Sequence, residues 1–491
     1  MWKFGRKSAN DQATVAWRCS ASLAALTLVC ALASADAVHA ESIRDAMAAA
    51  YQTNPRLDAE RARLRATDED VGRAESGYRP TVSGTADIGR QDTQSSPVTS
   101  TSGETNPWGY SISIRQSVFN GFRTTNDVAE ANAAVKAGRE NLRQIETIVL
   151  LEAATAYMDV IRDMEIVRIR DNNIAVLSAD VEAAQTRRAV QEVTKTDVAQ
   201  AQARRARAVS AADLARANLK TSRAKYEMVV GHAPAGLGMP SLNLKNLPHS
   251  IEDAWRLAEQ QNPNVNSALY REEAARFAVD KVRGELLPEV NIEASFAHRE
   301  DPNSAFDNQE SASISGRVSI PLYDGGETRA RVRQAKHTHV SRIQEIEQAR
   351  SETQANVTAA WSRLMAARAQ VKSDRIQVEA NRLALEGVRE EEKVGQRTLL
   401  DVLNAEQEYL NAQIELIATR HEQVVASYEL LAQVGLLSAE DLELGTAVYD
   451  PTVHYEEARS NWFGINITHA DGRKEVYSAV DPDNDVVEIA E

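Results

Sequence analysis

The sequence predicts an α+β membrane protein built from two tandem repeats, and three observations carry that prediction. The chain repeats its own landmarks at a constant offset. Four segments of about ten residues alternate apolar and polar side chains, as barrel strands do. Two proline-free stretches, Gly121 to Val190 and Gly325 to Val394, read as single helices. Each would run about 70 residues and be on the order of 100 Å long.

The repeat is the firmest of these. Ser42-Ile43-Arg44-Asp45-Ala46 returns as Ser250-Ile251-Glu252-Asp253-Ala254, Asn54-Pro55 as Asn262-Pro263 and Pro80 as Pro288, all at an offset of 208. Asn120-Gly121 then matches Asp324-Gly325, Asp197-Val198 matches Asp401-Val402 and Gly231 matches Gly435, all at 204. That spacing is far too long for a solenoid unit and reads as a duplicated subdomain. The predicted organisation is a leader over 1–40, a first repeat over 41–231, a linker over 232–249, a second repeat over 250–435 and an acidic tail over 436–491, partly disordered. Each repeat has the order helix, strand, loop, strand, very long helix, turn, return helix.

Composition narrows the class. Aromatic residues are 5% of the chain, while Ala, Glu, Arg and Gln abound, which suits long helices better than a thick core. A formal net charge of -15 argues against a nucleic-acid partner, because phosphate neutralisation needs clustered Lys and Arg. At the N-terminus Lys3, Arg6, Lys7 and Arg18 precede an apolar stretch from Leu23 to Ala33, and Val38-His39-Ala40 offers small residues for cleavage before Glu41. Both cysteines, Cys19 and Cys30, lie in that leader, so the exported chain would have neither disulfide nor thiolate. No later segment has the ~18 apolar residues of a spanning helix.

Residues 42–77 read as helix, stopped by Gly77 and Pro80. Strands are predicted at about 80–92, 107–119, 288–299 and 311–323. In the first, Val82, Gly84, Ala86 and Ile88 oppose Thr81, Ser83, Thr85 and Asp87; in the second, Trp108, Tyr110, Ile112, Ile114 and Val118 oppose Ser111, Ser113, Arg115 and Ser117. Val290, Ile292, Ala294 and Phe296, then Ala312, Ile314, Gly316, Val318 and Ile320, repeat the pattern. A half-buried sheet uses the same alternation. The polar stretches Gln91 to Asn106 and Asp301 to Gln309 favour exposed hairpin loops and a membrane reading. Four strands cannot close a barrel, and an open edge in lipid leaves N–H and C=O groups without water, so a spanning chain has to oligomerise. Three copies give twelve strands.

The long helices are placed at 121–190 and 325–394 and the return helices at 194–231 and 398–435. Leu399, Leu403, Leu410, Ile414 and Ile417 recur at coiled-coil spacing. Beyond Gly435, Asp450-Pro451 and Asp481-Pro482-Asp483 mark the acidic tail, with Trp462, Phe463 and Ile465 expected to fold back.

In their order and spacing these features, over roughly residues 41 to 440, resemble the TolC-type outer-membrane efflux and type I secretion channels. The resemblance implies a homotrimer in the outer membrane: a 12-stranded barrel in lipid, continuous with a 12-helix periplasmic barrel. It implies a passive exit duct that docks, through a periplasmic adaptor (membrane fusion) protein, to an inner-membrane RND or ABC exporter. A periplasmic coiled-coil scaffold with a small soluble sheet is the rival reading.

The turns between long and return helices are the candidate site. Thr194 to Asp197 and Thr398 to Asp401 each read Thr-x-x-Asp, a capping pattern; alternatively, in a trimer, Asp401 forms a carboxylate ring that favours cations. The resemblance implies that Asp401 lines the entrance, that Asn404 stands where a second acidic ring is usual, and that Arg397 holds the mouth shut. The tyrosine that normally meets this arginine is Glu392 here, beside Glu390 and Glu391. The resemblance also favours glycine in both tips, which Gly395 satisfies and Gln191 does not. Val190, Val193, Thr194, Val394, Gly395 and Leu399 are expected to meet the adaptor. No cofactor is implied. His337 and His339 face different sides of a helix, His298 sits on a strand, and no phosphate loop or His-Glu-x-x-His motif occurs, so no enzyme chemistry is expected.

Overall fold

The structure is a computed structural model, and it describes residues 41–94, 103–240, 246–303, 305–462, 464–468, 474–476 and 486–488. The leader, Phe463 and Asp481-Pro482-Asp483 lie outside the described residues.

The first helical stretch is two helices rather than one. Helix α1 (Ile43–Thr53) opens on a capping box, in which Ser42 accepts from the Asp45 N–H at 3.2 Å and the Asp45 carboxylate accepts from the Ser42 N–H at 2.9 Å. It stops at Asn54 because Pro55 keeps the residue before it out of the helical region; Asn54 is extended, at φ -75 and ψ 118. Helix α2 (Pro55–Glu75) restarts with Pro at its first position and the Asn54 side chain as its cap.

Four strands form one antiparallel sheet. They are β1 (Thr81–Ile88), β4 (Trp108–Phe119), β5 (Glu289–Asn303) and β6 (Phe306–Ser319), in spatial order β1-β4-β5-β6. A two-stranded ribbon of β2 (Gln91–Thr93) and β3 (Gly103–Thr105) extends the first hairpin. The second hairpin departs from expectation. Its strands reach into the polar stretch as far as Asn303 on one side and Phe306 on the other, which pair with each other, whereas β6 ends at Ser319, just before Pro321. Polar side chains do not halt a strand whose ladder continues, but a proline in it does.

One face of the sheet is apolar, with Val82 opposite Ile114, Ile114 opposite Ala294, and Ala294 opposite Ile314. It is exposed: Ile314 is 83% and Ile88 87% accessible. Serine ladders occupy the other face, with Ser83 2.7 Å from Ser113 and Ser295 2.9 Å from Ser313, beside the Arg115–Glu293 pair at 2.9 Å.

Helix α3 (Arg123–Ala189) leaves the sheet and returns as α4 (Lys195–Val230); after α5 (Ile251–Gln261), α6 (Pro263–Gly284) and the second hairpin, α7 (Glu327–Lys393) leaves and α8 (Leu399–Val434) returns. Near the sheet α2, α3, α6 and α7 lie side by side; toward the far tips the layer becomes α4, α3, α8 and α7. The core sits at the changeover, where Met47, Tyr51, Val149, Leu150, Tyr157, Tyr226, Tyr428 and Leu431 are buried together. The two Asn-Pro junctions lock it. Asn54 donates to the Val229 carbonyl at 3.1 Å and Asn262 to the Gln433 carbonyl at 2.7 Å, just before Gly231 (φ 94) and Gly435 (φ 87) end the return helices.

Within the acidic tail lies helix α9 (Pro451–Ser460), capped by Asp450, which accepts from the Thr452 N–H at 2.8 Å. It lies on α2 through His454–Asp68 at 3.2 Å and Arg459–Glu75 at 2.7 Å, and Arg79 stacks 4.4 Å from the Trp462 ring. Three short strands follow, β7 (Ile467–Thr468), β8 (Lys474–Val476) and β9 (Val486–Glu488), in one small sheet.

Candidate functional site

The distal ends of the four long helices are built from two matching turns. After α3 the Gln191 N–H bonds the Arg188 carbonyl at 3.0 Å and the Glu192 N–H bonds the Arg187 carbonyl at 2.9 Å. After α7 the Gly395 N–H bonds Glu392 and the Gln396 N–H bonds Glu391, both at 2.9 Å. Both are Schellman closures, which need one residue in the left-handed region. Gly395 supplies it freely at φ 76, whereas Gln191 is held there at φ 64.

Each turn feeds a capping box. Thr194 accepts from the Asp197 N–H at 3.2 Å and the Asp197 carboxylate accepts from the Thr194 N–H at 2.8 Å; Thr398 and Asp401 repeat this at 3.3 and 3.0 Å. Both aspartates therefore start their helices. The backbone and hydroxyl of Thr398, together with the nearby charge of Arg397, hold the Asp401 carboxyl below its ordinary range, so it is ionised at neutral pH.

Arg397 pairs within its own turn. Its Nε lies 2.9 Å from Glu391, and that bond raises its pKa above the ordinary value. Glu392, one residue on and so turned to another side of α7, reaches across to Arg187 on α3. That pair ties the two hairpins together. So does Arg204 on α4, which donates to Asn404 on α8 at 2.8 Å. Asn404 is therefore held by a guanidinium.

One turn deeper sits a charged cluster that the sequence reading missed. Glu406 on α8 is 6% exposed and paired with Arg389 on α7, and its second oxygen has no hydrogen-bond partner. Asp180 on α3 faces it. Burial, with the Glu406 charge beside it, pushes the Asp180 carboxyl up to about 6. The signal was present: Leu399, Leu403, Glu406 and Leu410 step by four, three and four residues, which puts Glu406 in the apolar seam.

Apolar tip residues divide into two groups. Leu399 packs against Leu177, Ala208 and Leu403, and so serves the tip's own core. Val190 at 64%, Val394 at 70% and Leu400 at 42% exposure project outward, while Val193 is half-buried. Away from the tips, His339 pairs with Glu272 at 2.6 Å, and His298 lies between Glu300 and Glu310 on the sheet. Among the described residues no group of three or more His, Cys, Asp or Glu is placed to hold a metal ion, and no helix is long and apolar enough to cross a membrane.

The family model for outer membrane efflux proteins matches residues 47–232 and 254–436. The chain belongs to the outer membrane efflux protein family. It is 38% identical over 452 residues to the outer membrane efflux protein BepC of Brucella suis, covering 92% of this chain and 97% of that one. The outer membrane protein TolC of Escherichia coli is 22% identical over 420 residues, 82% of this chain and 84% of that one. Among solved structures, the Campylobacter jejuni CmeC outer membrane channel aligns with a TM-score of 0.73 at 14% identity, over 85% of this chain and 89% of that chain. That likeness shows the fold, a channel with a long helical barrel. As an outer membrane efflux protein the chain is a transport channel and not an enzyme, set in the outer membrane with a large periplasmic helical portion.

Proposed function

We propose that this efflux protein is the exit duct of a tripartite export system, for multidrug efflux, type I protein secretion or both. Three copies close a 12-stranded barrel from their four-stranded sheets and a 12-helix periplasmic barrel from their long helices, each chain contributing two tandem repeats. The duct is passive. It is gated at the helix tips and opens when a periplasmic adaptor and an inner-membrane RND or ABC exporter dock there.

The single observation that carries this reading is the sheet. Its edge strands β1 and β6 have no outer neighbour among the described residues, and its apolar face is open. Unpaired N–H and C=O groups cannot remain in hydrocarbon, so the edges have to pair with further copies. Val190, Val394 and Leu400 supply an exposed apolar tip for the adaptor, flanked by Val193, Thr194 and Gly395.

At the mouth, Asp401 supplies one carboxylate per chain, and Asp197 stands at the matching place on α4. Arg397–Glu391 and Arg187–Glu392 hold the closed arrangement. Single-channel recording of the purified protein in a planar bilayer tests this. The expected result is discrete conductance steps with cation preference, and Asp401→Ala should raise anion relative to cation permeability. Reversal potentials unchanged by that substitution in a salt gradient would discard the ring, and protein that never inserts would discard the duct.

A further inference from the structure

Roughly 20 Å back from the helix ends, three arginines face a cavity of about 200 Å³ bounded by α3, α4 and α8. Arg170 comes from α3, Arg204 and Arg207 from α4, and the amides of Gln407 and Asn411 from α8. Other arginines on the same two helices find acceptors: Arg205 reaches Ser178 at 2.9 Å, Arg216 reaches Asp171 at 2.6 Å, and Arg168 reaches Glu165 at 2.8 Å. Arg170 and Arg207 have no acceptor among the described residues. Burial, and the like charge of Arg207 beside it, lower the Arg170 pKa from its ordinary value, as expected of cations held together without a counter-charge. Glu406 is the one carboxylate at the wall, and Arg389 already holds it from α7.

We infer that this cavity is a binding site for a small, multiply charged oxyanion of the phosphate type, held by the guanidinium groups of Arg170 and Arg207 with Arg204, Gln407 and Asn411 as further donors. Planar guanidinium forks match tetrahedral oxyanions, which accept two parallel N–H bonds, far better than they match a halide. Arg204 is already fixed by its 2.8 Å bond to Asn404, so part of the site is organised before any anion arrives. The site has a mechanical side. Arg170 and Arg207 belong to the helix pair α3–α4, and Gln407 and Asn411 to the pair α7–α8, so a bound anion joins the two pairs and favours the closed tip. The link to tip closure rests on the proposed gated duct; the anion site itself does not.

Isothermal titration calorimetry of the intact purified protein tests it, with inorganic pyrophosphate as the probe and potassium chloride at matched ionic strength as the control. The expected result is saturable heat with pyrophosphate only. Arg207→Gln, on the exposed face of α4, should weaken binding at least tenfold, and Arg170→Gln should do the same. Arg216→Gln, which removes a partnered arginine further along α4, should leave binding unchanged. Heat that chloride reproduces, no saturable heat, or wild-type affinity in Arg207→Gln would each overturn the site. Arg207→Gln decides the matter if Arg170→Gln fails to fold.

Discussion

Asp180 carries a pH dependence whose sign follows from its surroundings. Its carboxyl, ordinarily near 4, sits at about 6 because burial and the Glu406 charge both disfavour ionisation. With the folded value above the unfolded one, its contribution is complete below about pH 4 and is lost as pH rises through about 6. A protonated Asp180 can donate to the unpartnered oxygen of Glu406 and join α3 to α8; an ionised one repels it. Amide exchange in the tip turns, corrected for its intrinsic rate, should therefore slow between pH 7.5 and 5. Asp180→Asn should flatten that dependence, and a slope equal to wild type would refute it. Legibility at this scale was uneven. Thr194-x-x-Asp197 and Thr398-x-x-Asp401 announced their capping boxes, because a cap is a local device. Three successive glutamates before Val394 could not announce which one Arg397 takes, because the phase of α7 against α3 decides it. Glu406 was visible as a charge in an apolar seam, but nothing local pointed from it to Asp180.

At the scale of elements, the two hairpin turns differ in one respect that can be measured. Gln191 and Gly395 hold the same left-handed place, at φ 64 and φ 76. A residue with a Cβ costs about 1 kcal/mol or more there relative to glycine. Gln191→Gly should raise the protection of the Glu192 amide in exchange, whose bond to Arg187 closes the turn; Gly395→Ala should lower that of the Gln396 amide by a similar factor. Unchanged protection in both would show that the turns are set by packing and not by the backbone. Long helices and strands were legible because their periods, 3.6 and 2, persist over many residues. The Asn54-Pro55 break is legible as a repeated landmark, yet the helical pattern over 42–77 hides that it divides two helices. Helix α9 was read as tail because its acidic composition hid a start signal, Asp450-Pro451, that specifies a cap followed by a first-turn proline.

For the whole molecule, the order of strands and long helices read from the sequence is the order of elements along the chain. What the sequence left open was whether the alternating strands faced lipid or a soluble core, because the two demand the same side chains. The structure leaves that face uncovered, and the proposed duct sets it against lipid. Ile314→Lys, near the middle of the apolar face, should cost about 2–4 kcal/mol per chain. The variant should leave the outer-membrane fraction on cell fractionation, while Ser313→Asn on the wet face should remain there. Equal recovery of both would mean that this face does not meet lipid.

The unbroken length of α3 has one further consequence. The helix is gripped at mid-length, where Val149, Leu150, Ala153 and Tyr157 are fully buried, and it runs on to Ala189 with neither proline nor glycine to bend it. It is a lever with its fulcrum in the core. The arm of roughly 30 residues beyond the core, packed between α4 and α8, is about 45 Å long, so a pivot of about 10° carries its tip about 8 Å sideways. In the proposed opening, movement of the far end needs only a slight re-seating of the core, and a few ion pairs at the end of so long an arm oppose it with large torque.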